Sequence, residues 1–205
     1  MQNVVIIGTG TMAAGIAAGF ISQSIPVVIL GRNQEKAHAC LQKAISLSQK
    51  IGLFGNNRNK TISELEAEQE IGFFNSWNNW DKTRWVIETI AEDLPLKKEI
   101  FRQLDTRVPN HIAIGSNSSG FPISKISEGL KTSSRMFGAH YFMPAEVVPL
   151  VEIVLGDNSD SLLAEKVCDL YRSIQKKPVL VKKDIPGFLA NRIQHALMRE
   201  ALSLV

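Results

Sequence analysis

The stretch that most constrains this chain lies at its start. Val4, Val5, Ile6 and Ile7 form an unbroken apolar, β-branched run. It predicts a strand, Asn3 to Ile7, buried on both faces, as in parallel sheets covered by helices on each side. Gly8-Thr9-Gly10 follows, and then Thr11-Met12-Ala13-Ala14-Gly15-Ile16-Ala17-Ala18, with Met12, Ile16 and Phe20 at helical spacing. A strand, a glycine turn and a helix start in this order form a pyrophosphate cradle for a dinucleotide. Gly8 allows the tight turn. Gly10 leaves space that a Cβ would fill, and Ala13 keeps helix and strand close. Gly8, Thr9, Gly10, Thr11, Met12 and Ala13 are therefore the candidate cofactor-binding residues, with the first-turn N–H groups facing the phosphates. The fold class expected is α/β, a Rossmann-like, doubly wound, mostly parallel sheet.

The 205 residues suffice for one sizeable core, and 44% hydrophobic with 21% charged residues marks a chain that folds. The net charge of +3 comes without a basic cluster, so nucleic acid is not an expected partner. Cys40 and Cys168 fall far apart in helical patterns and read as buried free thiols, neither a disulfide nor a metal site. No apolar run approaches a membrane span, and the start lacks a basic segment with a signal-type apolar run. A cytoplasmic protein is expected.

Val27 to Leu30 reads as a second buried strand. At its end, where an acidic residue would hold an adenosine ribose, stand Gly31-Arg32-Asn33. Arg32 reads either as a contact for a ribose 2′-phosphate or as a solvated surface arginine. Asn33 to Gln49 predicts a long helix capped by Asn33. Gly52 to Asn59 predicts a turn-rich break, and Thr61 with Glu64 a capping box. The stretch Gln49 to Gln69 exceeds a simple crossover and suggests a helical excursion beside the sheet. Ile71 to Trp77 predicts a short strand, with Trp77, Trp80 and Trp85 as core or groove aromatics. Further strands are expected at Trp85–Ile90, His111–Gly115, Arg135–Phe142, Pro149–Leu155 and Pro178–Val181. Helices are expected from Pro95 to about Leu104 and from Ser159 to Ile174. The hydroxyl-rich Ser116-Asn117-Ser118-Ser119-Gly120 stands at a strand's carboxyl end, where doubly wound sheets bind ligands, although these are also ordinary cap residues.

With His140-Tyr141-Phe142-Met143-Pro144 added to the pieces before it, the chain resembles the L-3-hydroxyacyl-CoA dehydrogenase family over nearly its whole length. The matching pieces are Gly8-Thr9-Gly10-Thr11-Met12 with Gly15-Ile16-Ala17, Glu88 and Glu92 with Lys97, and Ser116-Asn117-Ser118-Ser119. The His140 motif, Val151-Glu152 and Asp184-Ile185-Pro186-Gly187-Phe188-Leu189-Ala190-Asn191-Arg192 follow in the family's order. The resemblance implies His140 as general base and Glu152 as the carboxylate that orients it. It implies Ser119 and Asn191 as hydrogen-bond partners of the reacting oxygen. Glu92, Lys97 and Ser119 would be cofactor contacts. Alcohol oxidation needs a base titrating near neutrality, and an imidazole paired with a carboxylate is one. His38, His111 and His195 are read as structural.

Three departures stand out: Gly31-Arg32 in place of the ribose acid, Met143 where an asparagine is usual, and no basic match for coenzyme A at Lys43 to Phe54. Met143 stands near the nicotinamide or substrate. The resemblance implies NAD, and Gly31-Arg32 leans to NADP. The substrate implied is a small 3-hydroxyacyl compound, either a CoA ester or a free 3-hydroxy acid of the gulonate or carnitine kind. A nucleotide-binding fragment without turnover is the other class. Phe188, Leu189, Ile193, Leu197, Ala201 and Leu204 mark an apolar helical face. By the resemblance, residues 1–184 form the dinucleotide-binding domain. Residues 185–205 would be the first helix of a helical substrate and dimerisation domain, which implies a homodimer.

Overall fold

A computed structural model describes residues 2–51 and 60–205. The first five strands and first four helices are β1 (Asn3–Ile7), α1 (Thr11–Ser22), β2 (Val27–Gly31), α2 (Gln34–Ile51), α3 (Ile62–Ala67), β3 (Glu70–Phe73), β4 (Thr83–Glu88), α4 (Leu94–Arg107) and β5 (Ala113–Ser116). The chain continues through α5 (Ile123–Ile126), β6 (Met136–Tyr141), β7 (Leu150–Leu155), α6 (Ser161–Ser173), β8 (Lys177–Val181) and α7 (Ala190–Leu202). Among the described residues the strands form one eight-stranded sheet in the order β3-β2-β1-β4-β5-β6-β7-β8. The pairs from β3 to β6 are parallel, β7 runs antiparallel to β6, and β8 runs parallel to β7. The order reverses between β1 and β4, so a crevice opens at their carboxyl ends.

Period-two alternation puts β1 into both layers. Val4 and Ile6 join one core with Ile16, Phe20 and Ile45 of α1 and α2, while Val5 and Ile7 join the other with Phe101 and Leu104 of α4. Fully covered faces explain why β1 tolerates no polar residue inside its run. Asn33 Oδ1 accepts the Lys36 N–H at 3.0 Å at the start of α2, and Thr61 and Glu64 complete their capping box.

One strand is shorter than expected. The predicted run Ile71 to Trp77 ends at Phe73, because the Trp77 N–H turns back to the Phe73 carbonyl at 2.9 Å. Trp77 then packs edge-on against Trp80, with ring centres 4.6 Å apart. The Arg107 guanidinium closes this corner by donating to the carbonyls of Phe74 and Trp77 at 2.7 and 2.8 Å. All three tryptophans are core. The excursion expected over Gln49–Gln69 contains the end of α2 and all of α3. The turn-rich break at Gly52–Asn59 and the last residues of Lys43–Phe54 lie outside the described residues.

Candidate active site

At the carboxyl end of β1 the chain leaves the sheet through Gly8, whose φ is +127°. A Cβ at Gly8 would stand 2.4 Å from Thr89 Oγ1, so the position is closed to other residues twice over, by conformation and by space. A Cβ at Gly10 would meet nothing within 4 Å, which leaves open room where a pyrophosphate would lie. Gly10 is the N-cap of α1 and supplies no side-chain acceptor to the first-turn N–H groups of Thr11, Met12 and Ala13. These groups and the helix dipole therefore remain available to an anion. A cavity of about 250 Å³, lined among others by Gly8, Thr9, Gly10, Arg32, Phe74 and Thr89, lies in the crevice where the strand order reverses. These features fit a dinucleotide.

Gly31 carries a signal that sequence reading missed. A Cβ there would come 2.7 Å from Thr9 Cγ2. The missing ribose acid and the threonine between the two glycines are thus one packing arrangement, and Arg32 stands exposed at the rim of the same cavity.

Between the groove and β5 sits a charge cluster in which Glu88 and Lys97 are buried and Glu92 is exposed. Lys97 donates to Glu88 Oε1 at 2.8 Å and lies 3.4 Å from Glu92 Oε2. Glu88 also accepts from Ser116 Oγ at 2.7 Å and from the Ile90 N–H at 2.6 Å. Burial pushes the Glu88 carboxyl up despite these partners. Glu92 Oε1 accepts from Ser118 Oγ at 2.5 Å and from the N–H groups of Ser119 and Gly120, both at 3.1 Å. Burial pushes Glu92 up, but Ser118, the Lys97 ammonium and the Gly120 N–H outweigh it, and its carboxyl sits below the usual range. Lys97 is the central member of this cluster. Its side chain is buried, and its ammonium is taken up by two carboxylates and the Ile90 carbonyl. What Lys97 and Glu92 shape is the turn that presents Ser119.

At the far end of the sheet, β6 and β7 pair antiparallel with His140 directly opposite Glu152. Both side chains are buried, and His140 Nδ1 lies 2.7 Å from Glu152 Oε2. The other oxygen, Oε1, accepts from the N–H groups of Leu189 and Ala190 at 3.0 and 2.8 Å. Burial pushes the Glu152 carboxyl up, but its bonds from His140 and from these two amides prevail and hold it below the usual carboxylate range. An ionised carboxylate only accepts, so Nδ1 donates to Glu152, and in the neutral ring Nε2 keeps its lone pair. Phe142 and Phe188 flank the imidazole, with ring centres 4.6 and 5.4 Å away.

Glu152 therefore does two things: it orients His140 and it fastens the N-terminus of α7. Asp184 adds a second tie, accepting from the N–H groups of Ile123 and Ser124 at 3.0 and 2.7 Å. With these fixed, Asn191 Nδ2 reaches the Ser119 carbonyl at 3.3 Å. The structure thus brings Ser119 to Asn191 and His140 to Glu152. Met143 is exposed just beyond β6, and no described cluster of His, Cys, Asp and Glu is arranged to hold a metal ion. Ser118 and Asp184, outside the expected site, hold its frame. Both lie in the motifs that carry the family resemblance, which was their signal in the sequence.

Residues 3–185 match the family model described as 3-hydroxyacyl-CoA dehydrogenase, NAD binding domain. The chain is 31% identical to 5-formyl-3-hydroxy-2-methylpyridine 4-carboxylate 5-dehydrogenase of Mesorhizobium japonicum, over all of this chain and 65% of that protein. It is 30% identical to L-carnitine dehydrogenase of Oceanobacillus iheyensis, over all of this chain and 65% of that one. The crystal structure of 3-hydroxybutyryl-CoA dehydrogenase from Escherichia coli superposes with a TM-score of 0.84 at 29% identity, over 98% of this chain and 42% of that chain.

Proposed function

The chain belongs to the 3-hydroxyacyl-CoA dehydrogenase family through its NAD-binding domain, and we propose that its protein oxidises the 3-hydroxyl of a small acyl or hydroxy-acid substrate, a reaction in which the bound nicotinamide supplies the hydride acceptor. The observation that carries this reading is the buried His140–Glu152 pair with its free Nε2. In the proposed mechanism Nε2 takes the hydroxyl proton. Glu152 stabilises the imidazolium that forms, because a carboxylate at 2.7 Å gains attraction as the ring becomes charged. Ser119 and Asn191 hydrogen-bond the reacting oxygen, and the Glu92–Lys97 cluster holds the Ser119 turn in place. Met143 offers a thioether where an amide would have gripped nicotinamide or substrate.

The family match supports NAD as cofactor. Gly31 and Arg32 support, in addition, acceptance of a 2′-phosphate: no carboxylate repels it, and a guanidinium stands at the cavity rim. We read a modest preference for NADP(H). The division into residues 1–184 and a helical part beginning at 185, with homodimerisation through that part, is supported by the exposed Leu189, Ile193, Leu197 and Leu202 of the last helix. A cytoplasmic location rests on the buried free thiols Cys40 and Cys168. The test is nicotinamide reduction by the full-length protein with 3-hydroxybutyrate and with its CoA ester. Nucleotide binding with turnover of neither 3-hydroxy compound would sink the dehydrogenase reading.

A further inference from the structure

Lys176 stands just before β8 and is buried, yet its ammonium forms no ion pair with a described residue. It donates instead to the carbonyls of Ala145 and Val148 at 2.6 and 2.8 Å, with that of Glu146 at 3.5 Å. These carbonyls belong to the loop 142–149, which joins the strand of His140 to the strand of Glu152. Within the loop the N–H groups of Val147 and Val148 donate to the Pro144 carbonyl at 3.1 and 2.9 Å. The loop rests on α1: a Cβ at Gly15 would come 3.0 Å from Ala145 Cβ and 3.3 Å from the Glu146 nitrogen. One turn on, a Cβ at Gly19 would lie 3.8 Å from Lys176 Cε. The lysine stem and the loop thus share one face of the helix whose N-terminus faces the pyrophosphate.

We propose that Lys176 is a positioning residue: as an ammonium it clamps the loop 142–149 onto α1 and so fixes His140 and Glu152 relative to the bound nicotinamide. The proposal rests on the dehydrogenase reading of that pair. Carbonyl oxygens converging on one point repel each other and attract a cation. An ammonium supplies three N–H donors and no acceptor, and its bonds are charge-assisted. A neutral amine has two donors and turns a lone pair toward the third carbonyl, so the grip weakens when the proton leaves. Burial lowers the Lys176 pKa to about 8, although the Glu146 charge favours the ammonium. From β6 it faces the Tyr141 ring, whose centre is 5.9 Å from Nζ, with Tyr171 of α6 behind at 5.6 Å. Burial holds both phenols above their usual range, so they stay neutral where Lys176 titrates. From α1 no titratable side chain faces it, and Lys177, which opens β8, is exposed. A loop that slips on α1 moves the ends of both β6 and β7. A misplacement of about 1 Å can cost about a hundredfold in rate.

The clamp is tested in the full-length protein with two variants. Lys176→Met keeps an unbranched stem without donors, and Lys176→Gln keeps two N–H donors without the charge. Oxidation is followed with whichever of 3-hydroxybutyrate and its coenzyme A ester is turned over. Both variants should lose kcat by about ten- to a hundredfold, Lys176→Met the more. NADH affinity should stay nearly unchanged, which also reports intact folding. Wild-type kcat should fall as pH rises through about 8, where the ammonium is lost, and neither variant should show that fall. A loss of stability alone would leave the pH profile as it is. Hydrogen exchange at the Val147 and Val148 amides reads the loop without turnover and should quicken about tenfold in Lys176→Met, the scale of one charged hydrogen bond. Normal kcat in Lys176→Met would overturn the proposal, as would unaltered amide exchange or an alkaline fall that persists in the variants. Faster exchange in Lys176→Met, when the wild type oxidises neither 3-hydroxy compound, would uphold the clamp and remove the dehydrogenase reading instead.

Discussion

The two ends of the crevice are built by opposite means. At the end of β1 the cofactor groove is made by leaving atoms out: Gly8 because a Cβ would strike Thr89, Gly10 because nothing fills its space, Gly31 because Thr9 stands against it. At the ends of β6 and β7 the reacting site is made by putting charge in, with His140 and Glu152 both buried and bonded to each other. The first end binds through backbone groups that every residue carries, so shape decides it. The second depends on two particular side chains hydrogen-bonded to each other, so substitution there should reach the chemistry without touching nucleotide affinity.

The strongest test of that contrast is His140→Ala together with Glu152→Gln in the full-length protein. Each should lower kcat by about 10²–10⁴-fold, the usual worth of a positioned general base, with the dissociation constant for NADH nearly unchanged. A His140→Ala enzyme with normal kcat would erase the difference between the two ends. Next in size is the cluster that joins them. Lys97→Met leaves the buried Glu88 without its cationic partner, and stability should fall by about 3–5 kcal/mol in urea unfolding. An unchanged midpoint would mean that Ser116 and the Ile90 N–H suffice to hold Glu88.

Acid should separate the two ends as well. Glu152 has its pKa lowered in the folded state, so the stability it contributes is complete above the ordinary carboxylate value of 4.5. That contribution is lost as pH falls through the lower folded value, because the unfolded chain then binds the proton more readily. Wild type should therefore exceed Glu152→Gln in stability at neutral pH and converge with it in acid. A gap that stays constant across denaturation curves from neutral to acid pH would show that the charge of Glu152 is not what holds α7 and His140.

The smallest effect belongs to the groove rim. NADPH should bind more tightly than NADH by about one decade or less, since a charged hydrogen bond of roughly 1.5–3 kcal/mol is weakened by exposure and salt. Arg32→Ala should remove the difference. Gly31→Asp should favour NADH only when Thr9 is also changed to Gly, because the new Cβ needs the space now held by the Thr9 methyl. Titrations of both cofactors at one ionic strength decide the matter. NADH binding that is equal or tighter and indifferent to Arg32 would make that residue a surface charge.

What the sequence by itself determined was whatever is local or periodic. The β-branched run of β1, the Gly8-Thr9-Gly10 turn, the small residues of α1 and the capping box at Thr61 act over a few neighbours, and their reasons are readable without a fold. The end of β3 at Phe73 was not readable, because the corner made by Trp77, Trp80 and Arg107 draws on residues from three segments. His140 and Glu152 could be named from a resemblance, but only the antiparallel register of β6 and β7 sets them face to face. That register also gives Glu152 its second task, at the N-terminus of α7. The partnerships of Thr9 with Gly31, Lys97 with Glu88 and Asp184 with α5 were decided by tertiary structure alone. A side chain's spacing tells which face of its own element it occupies, whereas its partner is settled only when another element arrives, bringing the burial that makes the pairing matter.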